Sequence, residues 1–471
     1  MRRLVTIQAT LFLNGEYRKA VCGEASIRGG PDDRDLAILI AQLTQSLLGE
    51  AAGFPCPKGP AGKPGATRSG YPVSSRSVPQ AQHPASPEME EPQAFRDRDL
   101  ASGEWGGLRS RLEEQGASIG IDWVMEGFKN FRGGIATGAA AASTFDVDLS
   151  LDMQKLLGVR GGEFYIDMED HAGRNPSAAL VGDLQVFDKL NFTSYLQIFE
   201  LWYQQKLFHG KLRIKAGKVD ANSEFSVIDN GLSFLSSSTQ VTPTLFVFPT
   251  TPDPMPGVNF FYTPKDFFYA GFAVYDANRS DRFLNFSGRP ESIQPTRHGK
   301  LLIGETGFNW SRLSVLKADG NLRLGFWGHT GTFTRFDGDA QRGAEGLYVI
   351  LDQTLWQPLP GPNERRGLRT FLEYGQTDRA VAPIYRHFGG GLAWTGLLPC
   401  RPRDVAGVSP QYARLSPGAG LPHDYELAFE VFYKVQLTPW SSLQPDLQYI
   451  AHPGGQYPSA LVGTLHLKVI F

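Results

Sequence analysis

The segment that decides the fold is YELAFEVFYKVQL, residues 425–437. Its apolar side chains occupy every second position and are Tyr425, Leu427, Phe429, Val431, Tyr433, Val435 and Leu437. The positions between them include Glu426, Glu430, Lys434 and Gln436. Successive side chains of a β-strand point to opposite faces, so a period of two separates an apolar face from a polar one. The segment is therefore predicted to be a strand, because helical periodicity would mix the two sets.

The same alternation recurs in windows 145–153, 163–171, 442–449 and 461–471. Weaker strand patterns lie between these windows, separated mostly by Gly, Pro or Asn/Asp clusters. The chain contains 53 Gly among 471 residues and 12% aromatic residues. This composition favours many short strands and turns. Residues 99–471 are thus predicted to be all-β.

One-sided strands fit either a soluble sandwich, with the apolar face inside, or a transmembrane barrel, with the apolar face towards lipid. The windows are long for a soluble strand of about 5–6 residues and match the ~9–11 residues that span a bilayer. Aromatic residues such as Phe145, Tyr425 and Tyr449 stand at stripe ends, as in an interfacial girdle. The last window runs to Phe471, which suits a last strand that pairs with the first. These features favour a closed antiparallel transmembrane β-barrel.

The length of the β-rich part sets the size of the barrel. Residues 99–471 provide room for about 16 strands if each strand and its connection take roughly 23 residues. A barrel of this size encloses an aqueous channel rather than a packed core.

Residues 1–98 differ from the rest and are interpreted as an N-terminal extension to the 99–471 barrel. Residues 54–92 are rich in Pro, Ser and Gly, and we expect them to be disordered. Residues 36–48, LAILIAQLTQSLL, fit either a degenerate signal segment or a short amphipathic helix. The acidic flank at 32–35 is wrong for export, so no signal peptide is clearly recognisable.

Charge and motifs exclude several classes of function. The 46 Lys and Arg nearly balance the 48 Asp and Glu, which argues against a nucleic-acid binder that works by bulk charge. No Cys/His cluster suggests a metal, and no GxSxG, HExxH or P-loop suggests an enzyme or a cofactor. Asp167 and Glu169 share a face, as glycosidase carboxylates could, but an acid-lined lumen gives the same pattern.

Several short sequence motifs occur along residues 99–471, and their order is more specific than any one motif alone. They are GEWGGLR (103–109), ELWYQQ (200–205), LRIKAG (212–217), GLY with DQ (346–353), GLLPCRPRDV (396–405) and YKVQLTPWSSLQPDLQYIAHP (433–453). Together they resemble the carbohydrate-selective porins of the OprB type. The resemblance implies a 16-stranded barrel of the bacterial outer membrane that passes sugars by facilitated diffusion, without a cofactor. Residues 1–98 have no counterpart, and Cys400 and Arg403 depart from the family's turn.

Sugar passage needs flat aromatic faces for the C–H face of a pyranose and charged groups that hydrogen-bond its hydroxyls. Binding must also be weak enough for release. The polar strand faces supply the pore-lining candidates, which are Asp146, Asp148, Asp152, Asp167, Glu169, Glu200, Trp202, Arg213, Lys215, Arg323 and Trp327. If the strands follow chain order around the barrel, the acids lie on strands next to the bases of residues 211–218. An electric field would then cross the lumen. For each residue the alternative is a solvated lumen wall that never meets the solute.

The long segment 220–257 leaves two interpretations open. It either folds inward as a constriction or covers the barrel rim as an outer loop. The prediction as a whole is an outer-membrane porin for mono- or oligosaccharides, embedded in outer-membrane lipid, with its oligomeric state open. The alternatives are a soluble or surface-attached all-β carbohydrate-binding protein and, further behind, an outer-membrane enzyme.

Overall fold

The computed structural model describes residues 3–13, 16–27, 95–276, 284–288, 299–311, 318–358 and 365–471. The chain divides into two compact units, Met1–Lys63 and Pro64–Phe471. The first unit contains an antiparallel hairpin of β1 (Arg3–Leu13) and β2 (Glu16–Ile27), which the sequence analysis did not predict. In the sequence the two strands are separated by Asn-Gly, a favoured hairpin turn pair. The segments 36–48 and 54–92 lie outside the described residues.

The described part of the second unit forms one sheet of seventeen strands. They are β3 (Ala117–Arg132), β4 (Gly138–Asp152), β5 (Gly162–Gly173), β6 (Tyr195–Leu207), β7 (Leu212–Val219), β8 (Met255–Lys265), β9 (Phe268–Asp276), β10 (Asn285–Gly288), β11 (Lys300–Trp310), β12 (Gly320–Thr334), β13 (Ala340–Trp356), β14 (Gly367–Thr377), β15 (Ile384–Thr395), β16 (Val405–Leu415), β17 (Tyr425–Thr438), β18 (Ser441–Ala451) and β19 (Ala460–Ile470).

All of these strands except β10 form a closed antiparallel ring of sixteen. Each strand pairs with the next along the chain, β9 pairs with β11, and β19 returns to pair with β3. The predicted barrel of about 16 strands is therefore confirmed. The short β10 pairs instead with the outer part of β6, where Asn285 faces Gln197. It covers an edge of β6 that β7 leaves free, because β7 pairs only from Leu201 onwards.

Helices in the described residues are short. They are α1 (Leu108–Gln115), α2 (Met153–Leu157), a π-helical turn (Ser177–Val181) and 3-10 turns at Phe95–Asp97, Trp105–Gly107, Ala221–Ser223, Asp229–Gly231, Ser237–Thr239, Pro417–Ala419 and Pro453–Gly455. None of the helices in this part of the chain is long and apolar enough to cross a membrane.

The apolar strand faces point outward and the polar faces point into the barrel. Phe145 and Phe429 are among the exposed large apolar side chains, whereas Glu430, between the outward-facing Phe429 and Val431, is almost fully buried on the inside. This arrangement is that of a membrane barrel and not of a sandwich, which would bury its apolar faces. Connections at the end that carries the start of β3 are short, such as 439–440, and those at the other end include 174–194 and 220–254. Short turns mark the periplasmic end and long loops the extracellular end.

The motif at 103–109 contacts both ends of the barrel sequence at the point where β19 pairs with β3. We call the contacts of its Arg109 the Arg109 clasp. Arg109 lies at the start of α1 and is almost fully buried. Its guanidinium donates to the carbonyl oxygen of Phe471 at 3.1 Å and to that of Ile119, in β3, at 3.4 Å. The same guanidinium stacks over the ring of Trp105, with 4.3 Å between its Cζ and the ring centroid. One side chain thus joins the first and last strands of the ring.

Two extracellular loops fold into the barrel: the first inward loop, residues 174–194, and the second inward loop, residues 220–254. Phe187 of the first loop and Phe225 and Phe234 of the second are almost fully buried. Their contacts, described below, are with side chains of the inner barrel surface. Of the two interpretations of 220–257, the inward fold is therefore the one observed.

Candidate functional site

The second inward loop is held by carboxylates that project from the barrel wall. Backbone N–H groups of the loop donate to one wall carboxylate after another along its path. The pairs are Asp220 to Glu200 at 2.8 Å, Ser226 to Glu305 at 2.9 Å, Asn230 to Asp352 at 2.8 Å and Leu235 to Glu430 at 2.6 Å. Each carboxyl oxygen satisfies a backbone N–H that would otherwise be buried without a hydrogen-bond partner. We call Glu200, Glu305, Asp352 and Glu430 the anchor carboxylates.

Glu305, on β11, is an anchor carboxylate with three hydrogen bonds. Besides the N–H of Ser226, it accepts the hydroxyl of Tyr269 at 2.6 Å and the hydroxyl of Tyr348 at 2.7 Å. Ser226 has a positive φ of 56°, a conformation that costs free energy outside glycine. Glu305 therefore fixes a strained turn of the second inward loop against the wall.

Aromatic side chains also hold this loop against the barrel wall. The ring of Phe234 lies 5.6 Å from that of Phe371 on β14 and 4.9 Å from that of Phe432 on β17, edge to face in both cases. Between them stand Gly391 and Gly407, where an added Cβ would lie 3.1 Å and 2.9 Å from the Phe234 ring. Only glycine at these two wall positions leaves room for the loop to approach.

Two bases of β7 share one carboxylate inside the barrel. Glu224 of the second inward loop lies 2.5 Å from both the guanidinium of Arg213 and the ammonium of Lys215. Burial alone would raise the pKa of Glu224, but Lys215 and Arg213 lower it to about 2. The Lys215 ammonium also lies 3.9 Å from the ring centroid of Trp202. Arg213 and Lys215 are therefore both in contact with the second inward loop.

The first inward loop is fixed by a fifth wall carboxylate. Glu426, on β17, accepts the backbone N–H groups of Leu184 at 2.9 Å and Gln185 at 2.8 Å. Gln448, on β18, donates to the carbonyl oxygen of Phe187 at 2.8 Å. Both inward loops are thus seated through their backbones on polar side chains of the wall.

The inner faces of β3, β4 and β5 stay partly open to the lumen. We call this surface the open wall; it carries the half-buried side chains of Asp122, Asp146, Asp148, Tyr165 and Asp167. Asp122 pairs directly with Asp146 across the strands, and Asp148 pairs with Asp167. Like charges placed opposite each other destabilise a sheet. The opposed carboxylates of the open wall therefore disfavour the folded state electrostatically, and the fold itself does not require them.

Lysines stand beside the open wall. Lys468, on β19, lies 3.2 Å from Asp122, and Lys434, on β17, has Lys468 and Lys189 as its charged neighbours. Lys189 belongs to the first inward loop. The lysines closest to the acids of the open wall are therefore those of β17, β19 and the first inward loop.

Each pore-lining candidate has a defined place. Asp146, Asp148 and Asp167 lie on the open wall, and Glu169, on the same inner face of β5, is buried and accepts a hydrogen bond from the Tyr195 hydroxyl. Asp152 caps α2 by accepting the N–H groups of Gln154 and Lys155. The other candidates are covered by the second inward loop or face it, namely Glu200, Trp202, Arg213, Lys215, Arg323 and Trp327.

Two of these candidates illustrate the contacts with the second inward loop. Arg323 bridges Asp229 of the loop, at 2.6 Å, and the anchor carboxylate Asp352, at 2.9 Å. Trp327 is almost fully buried, and its ring lies edge to face with Phe246, 5.7 Å between centroids. Both side chains are thus in contact with the second inward loop, and the Arg323 side chain keeps 11% of its surface exposed.

Sequence reasoning missed several residues of the site. Tyr165 lies on the polar face of window 163–171, and its ring stacks on Trp202 at 4.8 Å. The alternation of that window already placed Tyr165 beside Asp167. Lys434 was visible in the deciding segment, as a base on an otherwise acidic face. In the described part of the chain, no group of three or more His, Cys, Asp or Glu side chains is arranged to hold a metal ion.

Comparisons with known proteins agree with this architecture. Residues 136–471 match the family model described as carbohydrate-selective porin, OprB family. Porin B of Pseudomonas aeruginosa is 24% identical over 420 residues, which cover 78% of this chain and 90% of that protein. The high-pH structure of Pseudomonas putida OprB aligns with a TM-score of 0.71 at 21% identity, covering 80% of this chain and all of that one. The low-pH structure of the same protein covers 80% of this chain and 99% of that one, with a TM-score of 0.55 at 19% identity.

Proposed function

This chain belongs to the OprB family of carbohydrate-selective porins, and we propose that sugars cross it along the open wall, between the acids of β3 to β5 and the lysines beside them. The family and the closed barrel make the chain a carbohydrate porin of the bacterial outer membrane. Its relatives are channels, and the apolar outer surface disfavours the soluble binding protein that the sequence left as an alternative. The finer assignment of residues is the proposal.

The observation that carries the proposal is the split of the inner surface. The inward loops occupy the space next to the anchor carboxylates, so that Glu200 and Trp202 are almost fully buried. The acids Asp146, Asp148 and Asp167 keep part of their surface free. A water-filled path needs polar side chains that remain accessible, and the open wall provides them.

The chemistry of the open wall suits polyhydroxy solutes. Carboxylates accept hydrogen bonds from sugar hydroxyls, and the lysine ammonium groups donate to sugar oxygens. Tyr165, whose ring stacks on that of Trp202, adds an aromatic side chain to the same surface. Several weak, exchangeable contacts of this kind favour entry without trapping the solute.

We further propose mono- or oligosaccharides as the solutes and outer-membrane lipid as the surroundings of the apolar outer face. Residues 1–98 are assigned to an N-terminal extension with no part in the sugar path. Support for this division comes from the family match, which begins at residue 136.

Liposome swelling with mono- and disaccharides tests the proposed path. The double variant D148N/D167N removes one directly opposed pair of carboxylates from the open wall. We expect it to change the ratio of monosaccharide to disaccharide flux by roughly two- to ten-fold, because it alters hydrogen-bond acceptors on the path. Asp170→Asn, on the exposed outer face of β5, is the matched control and should leave the ratio unchanged. Equal flux ratios in the double variant and in the control would refute the open wall as the path.

A further inference from the structure

Lys434 is a charged side chain without a partner. It points inward from β17 and is half-buried, and in the part of the chain that the structure describes it has neither a hydrogen bond nor an ion pair. Its charged neighbours, Lys468 and Lys189, carry the same sign. A partly desolvated charge is costly unless an opposite charge or a set of acceptors compensates for it.

The strand register puts the two wall lysines on one surface. Phe432 pairs with Asp446, which places Lys434 beside Gln444, and Lys468 pairs with Ser442. Lys434 and Lys468 therefore flank β18 from either side, near its periplasmic end. We call Lys434, Lys468 and Lys189 the lysine patch.

The charge of the lysine patch is only partly balanced. Lys468 has Asp122 at 3.2 Å, but this carboxylate also faces Asp146. Lys189, in the first inward loop, has Asp188, Glu126 and Glu430 as acidic neighbours, yet burial, with a further contribution from Lys468, lowers the pKa of Lys189. A lowered pKa of a lysine beside a carboxylate indicates that its surroundings stabilise the ammonium poorly. Lys434 alone has only positive neighbours, and an anion beside it would supply the opposite charge that they lack.

We propose that the lysine patch binds the carboxylate of an acidic sugar, such as an aldonate or a uronate, during its passage. This assignment rests on the proposed sugar path and adds the class of solute that the path favours. The patch and the open wall are complementary to the two ends of such a molecule. The carboxylate faces the lysines, and the hydroxyl groups donate to Asp146, Asp148 and Asp167 on the adjoining strands of the open wall.

The open wall also argues against a simpler anion. Chloride at the lysine patch would offer the acids of the open wall no hydrogen-bond donor, and inorganic phosphate near neutral pH would offer only one or two. A sugar acid supplies these donors from its hydroxyls, so its attraction to the lysines is not opposed by unsatisfied carboxylates. Neutral sugars lack the charge that the lysine patch requires and should bind there more weakly.

Single channels of the full chain in planar bilayers test this proposal. D-gluconate, D-glucose and inorganic phosphate are titrated separately, and the apparent affinity is read from the reduction of the KCl current. We expect D-gluconate to reduce the current at lower concentration than D-glucose or phosphate. Lys434→Gln should weaken the apparent affinity for D-gluconate by about ten-fold, the effect of one charge at short range, with little change for D-glucose.

Controls separate the possible failures. Lys434→Arg keeps the charge and should retain the preference for D-gluconate, whereas Lys211→Gln, in an exposed periplasmic turn, should behave like the unchanged chain. Phosphate as effective as D-gluconate, or a gluconate affinity unchanged in Lys434→Gln, would overturn the lysine patch as a sugar-acid site while leaving the porin intact. Failure of D-glucose itself to permeate liposomes would count against the proposed function instead.

Discussion

The inner surface of this barrel contains two kinds of carboxylate that the sequence pattern cannot distinguish. Asp148 and Glu305 both lie at inward positions of an alternating strand. Glu305 accepts one backbone N–H and two tyrosine hydroxyls and is almost fully buried. Asp148 faces another carboxylate, Asp167, and stays half-buried. An inward charge therefore becomes either a support for a loop or part of the water-filled path, depending on what folds over it.

The largest effect is expected when part of the second inward loop is removed. Deleting residues 236–254 takes away the segment that packs on Trp327. We expect the single-channel conductance to rise roughly two-fold or more, because a wide barrel depends on its inward loops for constriction. Removal of Pro417–Ala419, an outer turn, serves as control and should leave the conductance within its normal range. Unchanged conductance after the large deletion would mean that the second inward loop does not narrow the pore.

A smaller test exchanges one carboxylate of each kind. Glu305→Gln keeps the size of the side chain but removes its charge, and should destabilise the seat of the second inward loop by about 1–3 kcal/mol. The expected results are faster proteolysis of the loop and noisier single-channel currents. Asp148→Asn should instead shift the ratio of cation to anion permeability and leave proteolysis unchanged. The contrast fails if the two variants behave alike in both assays.

The smallest expected effect is the change of current noise at low pH. Because the pKa of Glu224 is lowered from its ordinary 4.5 to about 2, its ion pairs stabilise the loop fully above about pH 4.5 and lose this effect as the pH falls through about 2. Current noise of the unchanged chain should therefore remain low at pH 4 and rise towards pH 2. Glu224→Gln should be noisier than the unchanged chain at pH 5 and indistinguishable from it near pH 2. Equal noise of Glu224→Gln and the unchanged chain at pH 5 would contradict the assignment.

Much of the barrel could be predicted from local patterns. The alternation in 425–437 depends only on neighbouring positions, and it gave the direction of Phe429 and Glu430 correctly. The strand count followed from length, since each strand must span the same bilayer.

The division of the inner surface could not be predicted in this way. Leu235 and its anchor carboxylate Glu430 are 195 positions apart, and the donor is a backbone N–H that every non-proline residue carries. Phe234 fits only because Gly391 and Gly407, on two other strands, leave space for its ring. Such contacts depend on the closed ring, so the sequence pattern shows the lumen side of Glu200 or Arg213 without showing the loop above it.

The Arg109 clasp has a consequence for the order of assembly. Arg109 and Phe471 are separated by 362 positions, so their hydrogen bond closes a very long loop of chain. The entropy lost in that closure is on the order of 5 kcal/mol, and it must be recovered from contacts formed at the same time. Pairing of β19 with β3 is therefore expected to follow the local hairpins, as a slow and concerted final event. The clasp would then act less as a contributor to the finished channel than as a lock that keeps the completed ring from reopening.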